Sequence, residues 1–174
     1  AEGLGYYIMI LENDGTPYFY RKLPYNYSYD FKRQPNAYYS YMEYVYPPQD
    51  YKAIAKVLDP EFKLVDSCLM IEGFISDSHD FLILPNGHYF LFTHEPYPYN
   101  LEEYGGYPNA TPLGTVIQEF DAEKNLVWQW RYYDHFNIES TPIRRLGRLE
   151  PDLIHTNSIE LDMDGNLLIS SINA

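Results

Sequence analysis

The sequence is poor in several features that would point to common protein classes. It has one cysteine, Cys68, in 174 residues, so no disulfide can form within the chain. No apolar run approaches the about 20 residues that a membrane-spanning helix needs, and we therefore expect no membrane span. Lysine and arginine total 12 against 25 acidic residues, which gives a formal net charge of −13. This negative charge argues against nucleic acid or an anionic membrane as a partner.

The chain is rich in the residues that favour β-strands. Tyrosine occurs 20 times, and aromatic residues make up 18% of the sequence. Aromatic side chains are enriched in strands, and no long segment shows the apolar period of a helix. A hydrophobic content of 45% is enough for a packed core. Cys68 is followed by an apolar run, which predicts that its small side chain is buried.

Apolar runs alternate with turn residues and predict six β-hairpins. Each hairpin has two strands of about five to seven residues. The hairpins cover residues 6–22, 30–45, 53–67, 79–92, 115–130 and 152–171, and their turns fall near Asp14-Gly15, Pro35-Asn36, Asp59-Pro60, Pro85-Asn86-Gly87, Glu123 to Asn125 and Asp164-Gly165.

The hairpins alternate between two kinds, one that begins with polar residues and one of the form apolar-Asp followed by an apolar-aromatic strand. Two hairpins make four antiparallel strands, the unit of a β-propeller blade. We therefore predict an all-β fold, a β-propeller of four-stranded antiparallel blades with an incomplete set of about three blades. Residues 1–174 are expected to form a single partial domain, with blade material in 5–67, 68–132 and 153–171. The long connections 95–114 and 133–153 are expected to cover one face.

Polar side chains stand at the beginning of two corresponding hairpins. His79 precedes the strand that turns at Pro85, and His155 with Asn157 precedes the last hairpin. Side chains two apart in an extended strand point to the same face, so His155 and Asn157 are predicted to share one side. Because the two hairpins are of the same kind, we expect His79 and His155 to converge on a central channel.

Three segments resemble the bacterial arylsulfate sulfotransferases. They are HDFLILPNGHYFLFTHEP from His79, VIQEFDAEKNLVWQWRYYDHF from Val116 and HTNSIELDMDGNLLISS from His155. The resemblance extends from Gly5 to Ser171. It implies a six-bladed β-propeller in the periplasm or secreted from the cell. It also implies transfer of a sulfuryl group from a phenolic sulfate ester to a phenol, through a transient sulfohistidine and without a nucleotide donor, so we expect no cofactor.

The resemblance assigns roles to individual residues. His79 matches the first active-site histidine of the family, His155 the second and Asn157 the nearby amide, so the two histidines are expected to be catalytic and Asn157 to bind substrate. The family's arginine closely follows a Ser-Ser pair, whereas Ile172 follows Ser170-Ser171 here. The family's sulfated histidine lies in a later blade. We therefore expect this chain to lack the nucleophilic histidine and the arginine and to be inactive alone.

Sulfuryl transfer needs positive charge near the sulfate oxygens and a proton donor for the leaving phenolate. Imidazolium and guanidinium groups supply the charge, and an imidazole supplies the proton. Arg144 and Arg145 stand with Arg148 in the second long connection. They are either solvated or they recruit the anionic aryl sulfate, because arginine forks onto sulfate oxygens. Both interpretations stay open.

The remaining histidines and the acidic residues predict no further site. His88 and His94 are expected to be structural or exposed, and His135 to lie on the surface. The segment Asp162 to Asn166 is similar to part of a calcium loop but lacks the downstream glutamate. No Cys/His spacing suits zinc, so we expect no metal.

Two other functions remain open beside sulfuryl transfer between aryl sulfate and phenol. The chain is alternatively a non-catalytic β-propeller module for binding or assembly, because a short set of blades exposes strand edges that pair with a second copy or another chain. It is alternatively a fragment that needs the remaining blades.

Overall fold

The computed structural model of the chain describes residues 5–24, 27–45, 52–138 and 146–172. These ranges contain no α-helix, and two short 3-10 turns, η1 (Glu102–Tyr104) and η2 (Tyr132–Asp134), lie between strands. The prediction of an all-β fold is confirmed. The strands are β1 (Tyr6–Leu11), β2 (Pro17–Leu23), β3 (Tyr27–Arg33), β4 (Tyr39–Val45), β5 (Lys52–Leu58), β6 (Leu64–Cys68), β7 (Leu82–Ile83), β8 (Tyr89–Pro96), β9 (Leu113–Phe120), β10 (Leu126–Arg131), β11 (Thr156–Leu161) and β12 (Leu167–Ser171).

The strands pair into four antiparallel sheets. Two sheets have four strands in chain order, β3-β4-β5-β6 and β7-β8-β9-β10, whereas β1-β2 and β11-β12 have two strands each. Four strands that pair in chain order form a meander, which is also the arrangement of a propeller blade. Antiparallel four-stranded sheets are thereby confirmed, and their arrangement around a propeller axis stays a prediction.

All six predicted hairpins are present, and they turn in the same way. The N–H of the residue after the first strand donates to the carbonyl four residues later, as Glu12 does to Thr16 and Leu84 does to His88, both over 2.8 Å. This pattern is a type I turn followed by a left-handed residue, which explains why Asp-Gly and Asn-Gly recur at the turns. The fourth turn residue has a positive φ in each hairpin: Gly15, Ala37, Phe62, Gly87, Lys124 and Gly165.

A buried glutamine joins the two four-stranded sheets. Gln34 is 3% exposed. Its Nε2 donates to the carbonyl of Phe81 over 2.7 Å, and its Oε1 accepts from the N–H of Ile83 over 3.0 Å. Nε2 also donates to Oγ of Ser40 over 2.6 Å. Both sheets contribute to one core around these bonds, including Met42, Ala55 and Val57 from the first and Leu91, Val116 and Phe120 from the second.

The two long connections are partly regular and pack against each other. β8 extends to Pro96 and β9 begins at Leu113, so the first connection is shorter than the predicted span 95–114. The N–H of Thr111 donates to the carbonyl of Leu149 over 2.8 Å, which ties the two connections together. Their shared apolar cluster consists of Leu101, Ala110, Tyr132, Ile138, Leu146, Leu153 and Ile154.

Strand β9 requires a glycine where this loop cluster meets the sheet. A Cβ at Gly114 would lie 2.6 Å from Cε2 of Tyr133, which is closer than carbon atoms approach in proteins. The hydroxyl of Tyr133 donates to the carbonyl of Pro112 over 2.5 Å and holds the ring in place. The ring therefore cannot move aside without losing this bond.

Two expectations from composition agree with the fold. Cys68 is 3% exposed, as predicted, and its burial raises the pKa of the thiol to about 12. Within the described ranges, no helix has the length and apolar character needed to cross a membrane.

Candidate functional site

Three imidazoles from separate segments of the chain meet at one place. The ring centroids of His79 and His155 lie 5.5 Å apart, with the rings nearly perpendicular at 75°. The ring of His94 stacks on His155 at 5.7 Å, with an angle of 20° between the planes. The rings of His79 and His155 meet as predicted and His94 joins them, whereas a central channel at this place stays a prediction.

Two aspartates hold these imidazoles from their Nδ1 side. Oδ1 of Asp77 lies 2.6 Å from Nδ1 of His79, and Oδ2 of the same carboxylate lies 3.5 Å from Nδ1 of His94. Oδ2 of Asp152 lies 2.5 Å from Nδ1 of His155. A carboxylate at one ring nitrogen fixes the orientation of the imidazole and leaves the other nitrogen for a ligand.

Hydrogen bonds lower the pKa of Asp77, the aspartate that contacts both His79 and His94. Burial raises the pKa of Asp77, but bonds from the rings of His94 and His79 and from the N–H of His79 outweigh the burial, so that the pKa lies below its ordinary value. Asp77 is therefore an anion at neutral pH. It sets a negative charge between two imidazoles, which favours a cation or a donated proton on their other side.

Asp77, in the segment before β7, brings His94 into the cluster. Leu82 pairs with Phe90 and Ile83 with Tyr89, so the same register carried outward would set residue 79 opposite residue 93. The N–H of Asp77 instead donates to the carbonyl of Phe92 over 2.7 Å, so the register shifts before β7. The carboxylate of Asp77 then contacts the rings of both His79 and His94. The sequence analysis assigned His94 a structural or surface role, because spacing along the chain does not show that Asp77 contacts both rings.

His155 adopts a backbone conformation that differs from the extended one expected. Its φ is 41°, in the left-handed region, and β11 begins only at Thr156. The N–H of His155 donates to Oδ1 of Asp152 over 2.9 Å, so the same aspartate holds both the backbone and the ring. The rule that alternate side chains share a face therefore does not apply between His155 and Asn157. Positive φ is unfavourable for a residue with a Cβ and is often found at functional sites.

Asn157 has a local partner in this turn. Its Nδ2 donates to the carbonyl of His155 over 2.9 Å, and β11 has an irregular register between Thr156 and Ser158. The amide thereby stabilises the unusual turn that presents the imidazole. Its predicted role in substrate binding stays a prediction.

A buried ionic cluster next to the imidazoles joins β3, β11 and the segment before β7. Asp80, 4% exposed, accepts from the N–H of Ile159 on β11 over 2.7 Å and pairs with Lys32 on β3. Lys32 also lies 2.9 Å from Oδ2 of Asp30. Burial raises the pKa of Asp30 to about 7, against the opposing effect of Lys32. Asp80 follows His79 directly, so the aspartate of the His-Asp-Phe signature is a structural anchor beside a site histidine.

The other histidines lie apart from the cluster. Nδ1 of His88 is 2.8 Å from Oε1 of Glu119, next to the β7-β8 turn. The ring of His135 stacks on Trp130 at 5.4 Å and is exposed, as predicted.

The predicted arginine cluster is described only in part. Arg144 and Arg145 lie outside the described residues, and Arg148 is exposed in the second connection. Their role in recruiting an aryl sulfate stays a prediction.

An apolar cavity of about 620 Å³ lies between strands β10 and β12. Trp128, Trp130, Phe136 and Ile169 contribute to its walls. Trp130 is packed against two core clusters, whereas Trp128 is 41% exposed.

One set of side chains in the imidazole cluster has the composition of a metal site. His94, Asp152 and His155 each offer a ligand atom, and the three atoms lie within 4.8 Å of one another. The sequence analysis expected no metal because it judged spacing along the chain, whereas these ligands come from β8 and from the segment before β11.

Comparisons of this chain with protein-family models, with curated proteins and with solved structures find no match.

Proposed function

We propose that this chain carries part of a site that transfers a sulfuryl group from a phenolic sulfate ester to a phenol, as its resemblance to the arylsulfate sulfotransferases implies. One observation carries the proposal, the contact of the His79 and His155 rings at 5.5 Å. These are the two positions that match the family's active-site histidines. Their contact in the fold supports one shared site.

The hydrogen bonds of the cluster suit this chemistry. With Nδ1 held by a carboxylate, His79 and His155 have Nε2 to donate to sulfate oxygens. Such donors stabilise the charge that spreads over these oxygens during transfer. A proton on one imidazole then passes to the oxygen of the leaving phenolate. His94 adds a third imidazole that the resemblance did not predict.

In the proposed enzyme, the four-stranded sheets are blades of a periplasmic or secreted propeller. The nucleophilic histidine and the arginine belong to further blades. The four-stranded sheets β3-β6 and β7-β10 support this proposal, because a blade has the same meander. The net charge of −13 makes an added cationic group necessary for an anionic substrate.

Binding of a nitrophenyl sulfate, followed through the histidine ring signals in NMR spectra, tests the proposal on this chain. We expect the ligand to shift the ring signals of His79 and His155, whereas those of His88 and His135 stay in place. His79→Ala and His155→Ala are each expected to weaken binding at least tenfold, because each removes one donor to the sulfate. His135→Ala is the matched control.

Turnover is the second part of this test. The chain alone is expected to bind without releasing nitrophenol, and release in the presence of a phenol is expected once a segment with the remaining blades is supplied. Binding that shifts only the control histidines, or a complete lack of shifts, would contradict the proposed function.

A second candidate function is assembly into a propeller with a further copy or partner. The observation that favours it is the size of the outer sheets, since β1-β2 and β11-β12 have half the strands of the central ones. Leu168 and Ile169 on β12 are 51% and 36% exposed, and Ile169 lines the apolar cavity. Strands added beside β12 would cover these side chains.

Molar mass in solution tests this alternative. Assembly predicts a concentration-dependent mass above 20.5 kDa that falls when Ile169→Lys places a charge in the cavity. Leu64→Lys is the control, because Leu64 on β6 is 53% exposed and lies on a different sheet. A constant mass of 20.5 kDa at all concentrations would exclude self-assembly.

A further inference from the structure

A divalent metal ion of the zinc type fits the imidazole cluster, and we propose that this chain binds one through His94, His155 and Asp152. The ligand atoms of these three residues lie within 4.8 Å of one another. Two imidazoles and one carboxylate are a common ligand set for catalytic zinc and for other first-row divalent ions. The inference is independent of sulfuryl transfer.

The buried Nε2 of His94 is the second observation that points to a ligand. Its side chain is only 14% exposed, and its Nε2 is buried without a hydrogen-bond partner among the described residues. A buried ring nitrogen without a partner is unfavourable, because it loses its bond to water. A metal ion would supply the missing bond.

The carboxylate of Asp77 lies where a metal-binding histidine usually has its hydrogen-bond partner. Asp77 faces Nδ1 of His94, so Nε2 is the atom left for the ion. Histidines that bind metals usually donate from their other nitrogen to a carboxylate or carbonyl, which fixes the ring. Asp77 provides this support and also bonds to His79.

Binding requires a modest rearrangement at Asp152. Its Oδ2 lies 2.5 Å from Nδ1 of His155, whereas two ligands on one tetrahedral ion stand about 3.3 Å apart for metal–ligand bonds of about 2.0–2.1 Å. The ion therefore replaces this hydrogen bond by two metal–ligand bonds, and Nδ1 of His155 gives up its proton, to Nε2 of a neutral ring or to solvent from an imidazolium. The side chains of Asp152 and His155 are 28% and 35% exposed, so they have room to turn.

Three protein ligands leave one coordination position of a tetrahedral ion open. His79 is a neighbour of this position through its contact with His155, and its side chain is 43% exposed. An oxygen of a small anion or a water molecule would take the open position. The ion would thus bring positive charge into a chain whose formal net charge is −13.

Calorimetric titration of the chelator-treated protein with Zn²⁺ tests the proposal. We expect one ion per chain with a dissociation constant in the micromolar range or below. Co²⁺ is expected to bind competitively and to show the intense visible absorption of a tetrahedral site. His94→Ala, His155→Ala and Asp152→Asn are each expected to weaken binding at least tenfold, because each removes one of three ligands.

His88→Ala is the matched control, since His88 also pairs with a carboxylate and lies at the other end of β8. Circular dichroism without metal verifies that each variant is folded, and His94→Gln replaces any alanine variant that is not. Unchanged binding in the folded ligand variants, loss of binding in His88→Ala, or no binding in the wild type would overturn the proposal. Binding of aryl sulfate without binding of Zn²⁺ would overturn the metal proposal and leave the sulfuryl-transfer proposal intact. Binding of Zn²⁺ without binding of aryl sulfate would support the metal proposal and contradict the sulfuryl-transfer proposal.

Discussion

The buried carboxylate of Asp30 predicts an unusual dependence of stability on pH. Asp30 lies beside Lys32 and Asp80, and its burial raises its pKa from the ordinary 3.8 to about 7. Between about pH 4 and about pH 7 the folded protein therefore holds a proton that the unfolded chain has released. Stability that depends on a raised carboxyl pKa is complete below the unfolded pKa and is lost as the pH rises through the folded pKa.

The size of the effect follows from the shift. Each pH unit in this window changes the free energy of unfolding by about 1.4 kcal/mol per proton. Over about three units, the wild type is expected to lose up to about 4 kcal/mol relative to a variant without this carboxyl. The side chain of Asp30 is 16% exposed, so solvent screens the effect only in part.

Asp30→Asn is the appropriate substitution. Asp30 has a φ of 51°, and asparagine tolerates the left-handed region better than other residues with a Cβ. The amide also keeps an oxygen that can accept from the N–H of Phe81, a bond of 3.2 Å in the wild type. The variant therefore removes the titrating group with little change in shape.

Urea unfolding at a series of pH values between about 4 and 8 measures the difference in the free energy of unfolding between wild type and variant. We expect this difference to fall with a slope near 1.4 kcal/mol per pH unit up to about pH 7 and then to level off. Asp164→Asn, in an exposed turn, is the control for the substitution itself. A difference that grows with pH would refute the reasoning, because it would mean that attraction to Lys32 outweighs burial.

Three further predictions concern packing. Gly114→Ala is expected to lower the free energy of unfolding by about 1–3 kcal/mol, because the added Cβ would overlap the ring of Tyr133. Gly147→Ala is the control, since no atom lies within 4 Å of its added Cβ, and urea unfolding should show almost no change. Gln34→Met is expected to cost about 2–4 kcal/mol, since it leaves a buried N–H and a buried carbonyl unpaired, and the exposed Glu123→Met is its control. Cys68 is expected to resist iodoacetamide in the folded protein and to react once urea unfolds it, because its thiol is buried with a pKa of about 12; equal rates would contradict this burial.

The hairpins could be predicted from the sequence because their causes are local. Each turn needs a residue that tolerates positive φ, and glycine occupies that place in three of the six turns, Gly15, Gly87 and Gly165. Alternation of apolar and polar residues indicates the two strands of each hairpin within about fifteen residues of chain. How the sheets are arranged relative to one another depends on contacts between distant segments, which a single sequence does not display.

The candidate site was predictable only in part for the same reason. His79 and His155 were identified by their position before corresponding hairpins and by the resemblance. The role of Asp152 and the positive φ of His155 depend on a turn that no periodicity indicates. The place of His94 depends on the shift of register before β7 and on the contact of Asp77 with both rings, which no local pattern indicates.

The anchor and the site are adjacent along two strands, so the fold itself brings the imidazoles together. Asp80, two residues before β7, accepts from the N–H of Ile159, and this bond fixes the entry of β7 against β11. His79 directly precedes Asp80, and His155 lies four residues before Ile159 in the same segment. The bond between 80 and 159 brings the two segments together, and the bonds from the N–H of His155 to Asp152 and from the N–H of Ile172 to the carbonyl of His155 fix the residue that carries the second ring. The buried anchor therefore explains why two histidines far apart in the chain stand 5.5 Å from each other.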